Sequence, residues 1–238
     1  MYAILVGLLG LVATLQDALD SSIRPFLFKS LGEDSGAAIA AARTFSQLYI
    51  LVCLFGLSVI VFVGSNLSWV TSNDDYLSLR TYLALAATAM VPAIYTRYCS
   101  LFYVYNKKSY ALTNWMAART ALMLVLLLWL VSVYGIESAL ATILISQLLN
   151  AAVFRTNLSR LNLTAVPIFS PAAHAMLFVG SIWLNKLLFF STGPELFGIA
   201  QLLVTSVFLF ALNRRLYDRL AVDLRGDLSS TNTNKKQS

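Results

Sequence analysis

Residues 115–154 read WMAARTALMLVLLLWLVSVYGIESALATILISQLLNAAVF, two apolar runs divided only by the pair Tyr134-Gly135. Each run holds about 20 residues, the length that an α-helix needs to cross the hydrocarbon core of a bilayer. The pair is a turn signal, because glycine tolerates the backbone conformation that ends a helix. The stretch therefore predicts two antiparallel membrane helices, 115–133 and 136–154.

Five more apolar runs of similar length lie on either side of this pair. The runs are continuous rather than alternating, which favours helices over the strands of a barrel. The composition agrees, because 58% of the 238 residues are hydrophobic and only 12% are charged, which is not typical of a soluble domain. We predict an all-α integral membrane protein with about seven transmembrane helices: 2–28, 37–63, 77–105, 115–133, 136–154, 171–190 and 196–212.

The connections between these runs alternate in charge. Cations occupy the first, third and fifth connections and the C-terminal tail, whereas carboxylates mark the second, fourth and sixth. Because lysine and arginine are retained on the cytoplasmic side of short loops, this alternation predicts an N-terminus outside and a C-terminus in the cytoplasm. The cations are Arg24, Lys29 and Arg43, then Lys107, Lys108 and Arg119, then Arg155 and Arg160, and in the tail Arg214, Arg215, Arg219, Arg225, Lys235 and Lys236; the carboxylates are Asp74 and Asp75 (with Arg80), Glu137 and Glu195.

Composition and motifs limit the function classes. The formal charge of +6 comes from loop and tail cations, which orient the chain and meet anionic headgroups, so no nucleic-acid partner is predicted. Cys53 and Cys99 lie in apolar runs and His174 is the only histidine, so neither a metal site nor a disulfide framework is predicted. Phosphate-binding loops and catalytic motifs do not occur. We therefore expect no cofactor, and a transporter rather than an enzyme.

Prolines and composition suggest a division of the chain. Pro167 and Pro171 interrupt the segment before the sixth run. We expect residues 1–155 to form a six-helix-type membrane repeat that holds the first five spans, and residues 156–215 to form a C-terminal helix pair. Residues 216–238 form a basic cytoplasmic tail whose end, rich in Ser, Thr, Asn and Lys, has no hydrophobic face and is expected to be disordered.

The first span carries a charged face. Asp17, Asp20 and Arg24 are spaced i, i+3 and i+7, which places them on one side of a helix and lets Asp20 pair with Arg24. Pro25 is expected to kink or end the helix there. The three charges either lie solvated at the cytoplasmic headgroup level or line a cavity between helices, since ionisable groups in membranes avoid lipid.

Two more cations lie within apolar runs. Arg97 is in the third span and Lys186 in the sixth, and each either snorkels to an interface or faces a polar space. We expect both to point into a water-filled cleft, with the charged face of the first span on the same side. Asn150 and Asn185 are predicted to form interhelical hydrogen bonds, and Trp115 to be an interfacial residue.

One long stretch carries a family resemblance. YALTNWM at 110–116 is followed by WLVSVYGIESALA at 129–141 and SQLLN at 146–150. This stretch resembles the second half-repeat of polysaccharide flippases, the Wzx-like exporters of the multidrug/oligosaccharidyl-lipid/polysaccharide superfamily. In that family a span ending in Tyr-Gly-Ile/Leu-x-Gly/Ser-Ala leads straight into the next span. The opening Tyr2-Ala-Ile-Leu, with Arg24-Pro25 at the far end of its helix, also looks like the family, and the resemblance extends to about residue 215.

The resemblance implies an architecture. Family members have two halves with both termini inside, so seven spans that begin outside and end in a basic tail match the C-terminal half. The chain thus resembles half of a two-lobed flippase plus extra C-terminal helices. We expect its partners to be the lipid bilayer, the lipid-linked substrate, and either a missing N-terminal half or further copies in a homo-oligomer.

The resemblance also implies a function, the flipping of a polyprenyl-pyrophosphate-linked oligosaccharide across the bacterial inner membrane. Such flipping serves O-antigen, lipopolysaccharide or other polysaccharide biosynthesis. Arg24, Arg97 and Lys186 are the candidate substrate-binding cations, and Asp17 and Asp20 the candidate ion-coupling pair. Two alternatives stay open: a drug/cation antiporter of the same superfamily, and a non-transporting membrane assembly subunit whose intramembrane charges only join helices.

Overall fold

The described part of the chain is helical apart from its turns. The computed structural model describes residues 2–32, 36–66, 79–160, 169–189 and 196–207, with Ala211 and Arg214, and none of these residues is in a β-strand. The predicted all-α fold is confirmed, and the helices follow the order of the apolar runs. They are α1 (Tyr2–Gly32), α2 (Gly36–Ser65), α3 (Leu79–Tyr105), α4 (Ser109–Tyr134), α5 (Ile136–Arg160), α6 (Phe169–Phe189) and α7 (Leu196–Val207).

Left-handed backbone conformations end α3 and α4. Gly135 follows α4 at a φ of 69°, a region that glycine enters without steric cost, and the predicted turn at this residue is confirmed. Lys107 follows α3 at a φ of 56°, and its amide donates to the Val104 carbonyl at 3.1 Å. The chain reverses within a few residues at both points, so α3, α4 and α5 follow one another through tight turns.

Neither of the two prolines that lie beyond the first turn of a helix ends that helix. Pro25 lies inside α1, which continues to Gly32, and Pro92 lies inside α3. Of the two outcomes expected at Pro25, a helix end is wrong, and a kink stays a prediction, since a proline removes one backbone hydrogen bond. Packing supports the continuation, because the ring centroids of Phe28 and Tyr105 lie 5.3 Å apart.

Helix α3 lies at the centre of the bundle. It packs against α1, α2, α4, α5 and α6, and α2 also contacts α1 and α6. The Tyr98 ring centroid lies 6.0 Å from that of Tyr49 and 5.1 Å from that of Phe102, and the centroids of Tyr103 and Phe154 lie 5.2 Å apart. Aromatic pairs at these distances stabilise the fold beyond what the burial of their apolar surface contributes. Tyr98, Phe102 and Tyr103 of the third predicted span therefore belong to the buried core.

Helix α4, in contrast, lies on the outside. Its apolar segment Leu112–Leu130 contains no buried residue, and Leu128 and Trp129 are highly exposed. Among the described residues, this segment and two others, Thr44–Ser65 in α2 and Ser138–Asn157 in α5, are long and apolar enough to cross a membrane. These three helices indicate a membrane protein, and the exposed apolar side chains of α4 suit a lipid environment.

Helix α7 bridges two other helices. Gln201 accepts a hydrogen bond from Asn185 of α6 at 2.9 Å and donates to Thr205 at 3.1 Å, so the predicted interhelical role of Asn185 is confirmed. On another side α7 lies against α2, since a Cβ added to Gly198 would be 3.0 Å from the Phe62 Cα. The predicted C-terminal helix pair places the last span beside the sixth, and α7 does contact α6. The contact of α7 with α2 was not predicted.

Some predictions have no counterpart in the described residues. The acidic connections at Asp74, Asp75 and Glu195 and the tail at 216–238 lie outside them. The division of the chain after residue 155 stays a prediction, and α5 runs through that point to Arg160 without a break.

Candidate functional site

The charged face predicted for the first span lies on α1, beside α3. Asp17 is the central residue of this 31-residue helix, with Asp20 and Arg24 about one and two turns further on. The side chain of Asp20 is only 5% exposed, whereas those of Asp17 and Arg24 are 65% and 44% exposed. The face therefore has a buried side and an open side.

Arg97 of α3 binds both carboxylates of α1. Its Nε donates to Asp20 Oδ2 at 2.9 Å, and a terminal nitrogen pairs with Asp17 Oδ1. Arg24 adds a longer contact, 3.9 Å from its Nη2 to the same Asp20 oxygen. Two carboxylates and two guanidinium groups thus form one cluster with balanced formal charge, which we call the Arg97 cluster.

The geometry of this cluster follows from the sequence spacing and from helix packing. The i, i+3 spacing turns both carboxylates toward α3, which packs on α1. The Arg97 side chain, 36% exposed, reaches across to α1, where both carboxylates engage it. The structure therefore brings together Asp17, Asp20, Arg24 and Arg97, four of the five predicted site residues.

The buried end of the Arg97 cluster has unmet hydrogen-bonding capacity. Gln16 Nε2 and Asp20 Oδ1 are buried and have no partner at ideal hydrogen-bond geometry among the described residues, and the buried Tyr49 hydroxyl interacts with Asp20. Gln16 and Asp20 are one turn apart on α1, and Tyr49 of α2 lies within electrostatic range of Asp20. Since nearly all buried polar groups in proteins have a protein or water partner, this end of the cluster is suited to water or a small polar ligand.

Lys186, the fifth predicted site residue, lies elsewhere. Its Nζ is 5.1 Å from the Trp183 ring centroid, within the range of a cation–π contact. Trp183 donates from Nε1 to Thr88 Oγ1 of α3 at 3.1 Å. Thr88 precedes Arg97 by nine residues, about 14 Å along a helix. The structure therefore does not bring Lys186 into the Arg97 cluster.

A further cation, Arg119, lies deeper than its sequence assignment implied. It was counted with the loop cations of the third connection, but it lies inside α4, two residues from the midpoint of the apolar segment Leu112–Leu130. Its Nε donates to Ser146 Oγ of α5 at 3.0 Å, and one turn earlier Trp115 donates to Asn150 Oδ1 at 2.6 Å. The loop assignment of Arg119 is therefore wrong. The sequence does contain a signal for this position, because Arg119 falls within the predicted span 115–133. Counting it as a loop charge disregarded that signal.

Trp115 and the two cysteines complete the description. Trp115, predicted only as an interfacial residue, joins α4 to α5 through Asn150, and the predicted interhelical role of Asn150 is confirmed. Cys53 and Cys99 are free and buried. In the described part of the chain, no three His, Cys, Asp or Glu side chains lie together in a way that could hold a metal ion.

No protein-family model, curated protein or solved structure matches this chain. Its function is therefore inferred from the Arg97 cluster, from the position of Arg119 and from the resemblance carried by residues 110–150.

Proposed function

We propose that this protein takes part in flipping a polyprenyl-pyrophosphate-linked oligosaccharide across the bacterial inner membrane, for O-antigen or other polysaccharide biosynthesis. The observation that supports this is the Arg97 cluster, which is buried at Asp20 and open at Asp17. An anionic headgroup that crosses the bilayer needs cations along its path, and the open side of the cluster offers Arg97 and Arg24.

The open side of the cluster belongs in water rather than in lipid. A carboxylate at the centre of a membrane helix costs at least about 2.5–3.5 kcal/mol, and Asp17, the central residue of α1, is the most exposed member of the cluster. Contacts that only join helices can be made with neutral residues such as serine or asparagine. The exposure of Asp17 therefore supports a hydrated cleft beside α1 and α3, which a second lobe or a second copy of the chain closes.

The two carboxylates have different roles in this proposal. Asp20 is buried and holds the Nε of Arg97, so it keeps the guanidinium in place throughout the cycle. Asp17 is exposed and pairs with a terminal nitrogen, the position that a pyrophosphate oxygen takes when the substrate binds. The headgroup thus displaces Asp17 from Arg97, and Asp17 restores the neutral cluster after release.

The same contacts bear on the two alternatives. A drug/cation antiporter needs a carboxylate that is free to take a cation, whereas Arg97 engages both Asp17 and Asp20. A non-transporting assembly subunit uses these ion pairs only to hold α1 against α3. That reading predicts that Asp17→Asn has no effect on ligand binding, whereas the flippase proposal predicts tighter binding because the competing carboxylate is lost.

Reconstitution of the full gene product in liposomes tests the proposed function. The probe is a polyprenyl-pyrophosphate disaccharide with a fluorescent label on its sugar, and added dithionite reduces only the label on the outside. We expect the protein to make label from the inner leaflet accessible, Arg97→Gln to abolish this, and Asp17→Asn to tighten probe binding. Lys107→Gln, which removes an exposed cation from a turn, is the control and is expected to flip normally. Liposomes that behave like protein-free ones would refute the proposal.

We also propose a finer membrane arrangement, in which all seven helices cross the inner membrane with the N-terminus outside and the C-terminus in the cytoplasm. The loop charges support this orientation. Helices α1 and α3 cross in spite of their charged residues because those residues pair with each other across the two helices.

Reporter fusions test this topology. Alkaline phosphatase fused after Asp74 is expected to be active, because this acidic connection lies outside. Green fluorescent protein fused after Lys107 is expected to fluoresce, because the basic turn between α3 and α4 lies in the cytoplasm. Exchanging the two reporters provides the control, and the reverse pattern at both positions would contradict the orientation.

A further inference from the structure

Arg119 points to a second binding site. We propose that Arg119, held by Ser146, binds the phosphate group of an anionic lipid at mid-depth in the membrane, between α4 and α5. This inference deepens the proposed function and rests on it for the class of ligand, a polyprenyl pyrophosphate. Its geometry is independent of the Arg97 cluster, which lies on α1 and α3.

The depth of Arg119 is set by two of the three membrane-crossing segments. Ser146 lies beside the midpoint of Ser138–Asn157, as Arg119 does in Leu112–Leu130. From the start of that apolar segment at Leu112, seven residues or about 10 Å of helix lead to Arg119, and half the hydrocarbon thickness is about 15 Å. Arg119 therefore lies in the central part of the segment that crosses the bilayer.

The Arg119 side chain does not reach for the cytoplasmic surface. Trp115 pairs with Asn150, and Arg119 pairs with Ser146. A step of four residues forward along α4 therefore matches a step of four residues backward along α5, which defines an antiparallel register. A snorkelling Arg119 would extend toward the level of Asn150. Its Nε instead binds Ser146, at its own level, and the half-buried guanidinium stays at mid-depth.

The charge of Arg119 is not neutralised by the described residues. Their ion pairs all involve Arg24 or Arg97, and the only hydrogen bond of Arg119 is to the neutral Ser146 hydroxyl, so its terminal nitrogens have no partner among these residues. The nearest carboxylate along α5, Glu137, is nine residues before Ser146, about 14 Å of helix. A cation so placed is costly in lipid, and an anionic ligand removes that cost.

Phosphate is the anion that this arrangement fits best. A guanidinium presents paired N–H groups that bind phosphate oxygens in a bidentate manner, and Arg119 has its terminal pair available. One turn further along α4, Leu122 is exposed, and the rest of this outer helix offers an apolar surface for a polyprenyl tail. A lipid-linked pyrophosphate therefore matches both the paired N–H groups of Arg119 and the apolar surface of α4, whereas a free phosphate matches only the N–H groups.

Chemical protection tests the site in the unmodified protein. The purified full chain in nanodiscs is treated with phenylglyoxal, which modifies arginine, and the modified peptides are quantified by mass spectrometry. We expect farnesyl pyrophosphate to protect Arg119, and farnesol, which has the same tail without the charge, to give no protection. The exposed Arg155 serves as the internal control and stays reactive throughout. Equal modification of Arg119 with and without farnesyl pyrophosphate would overturn the proposal.

Binding measurements on variants provide the second test. Arg119→Gln is expected to weaken farnesyl pyrophosphate binding at this site about ten- to a hundredfold, the usual weight of hydrogen bonds to charged groups. Arg119→Lys is expected to lose less, because it keeps the charge without the bidentate geometry, and Arg155→Gln nothing. Unchanged binding by Arg119→Gln would overturn the site, and equal affinity for inorganic pyrophosphate would overturn its assignment to a lipid. Binding and flipping are measured separately, so the two proposals fail in different ways. Flipping together with binding that does not depend on Arg119 refutes only this inference, and Arg119-dependent binding without flipping refutes only the proposed function.

Discussion

Replacing Arg97 with leucine is expected to lower the free energy of unfolding by about 3–5 kcal/mol, because it leaves a buried carboxylate without its counter-ion. Asp20 is almost fully buried, and Arg97 holds it at 2.9 Å. The other cation, Arg24, is 3.9 Å away and largely exposed, so it compensates poorly. Denaturant unfolding in detergent micelles, followed by circular dichroism, measures the loss.

Two further variants make this expectation specific. Arg24→Leu removes an equal charge next to the same Asp20, but from an exposed position, and is expected to cost about 0–1 kcal/mol. The double variant Arg97→Leu/Asp20→Leu is expected to recover most of the stability, since an apolar pair often replaces a buried ion pair without loss. Equal losses for the two arginine variants would show that Arg97 is not the principal partner of Asp20.

Substituting leucine at Gly198 is expected to separate α7 from α2. Even a single Cβ at this position would lie 2.9 Å from Ser65 Cβ and 3.0 Å from the Phe62 Cα, and backbone atoms cannot turn aside as a flexible side chain can. Gly198→Ala is therefore expected to cost about 1–3 kcal/mol, the usual range for overpacking, and the larger leucine more. The same unfolding measurement detects both changes.

Gly180 of α6 is the matched control for this substitution. It is also a glycine within an apolar helix, but a Cβ added there meets no atom of the described residues within 4 Å. Gly180→Ala is expected to stabilise the protein by about 0.5–1 kcal/mol, because alanine favours the helix. The two glycine-to-alanine changes should therefore have opposite signs. If Gly198→Ala also stabilises the protein, α7 does not lie against α2.

The helices could be predicted from the sequence because the signals for them are local. Each apolar run predicts the position of one helix, although α1, α4 and α5 extend beyond their runs, and Gly135 marks a turn by its own backbone freedom. The sequence did not show that the helix continues past Pro25, because the contact between Phe28 and Tyr105 that accompanies the continuing helix comes from a distant part of the chain. The contact of Gly198 with α2 is equally non-local and left no pattern in the sequence.

The site could be predicted in part for the same reason. The spacing of Asp17 and Asp20 defines one helix face, but their partner Arg97 is known only once α1 and α3 pack together. Lys186 looked equivalent to Arg97 in sequence, and its helix carries it to Trp183 instead. Arg119 was missed because the loop charges were counted by sign without regard to depth in the membrane.

The ion pairs between α1 and α3 have a consequence for synthesis of the protein. Asp17 and Asp20 are made 80 and 77 residues before Arg97. At about 5–20 residues per second, their partner follows after roughly 4–16 seconds. During that interval Arg24 is the only cation of the Arg97 cluster that has been made, and its contact with Asp20 is the longer one at 3.9 Å, so α1 carries a net negative charge on this face. We therefore expect α1 to stay at the insertion machinery until α3 has been made, so that these two helices enter the bilayer together.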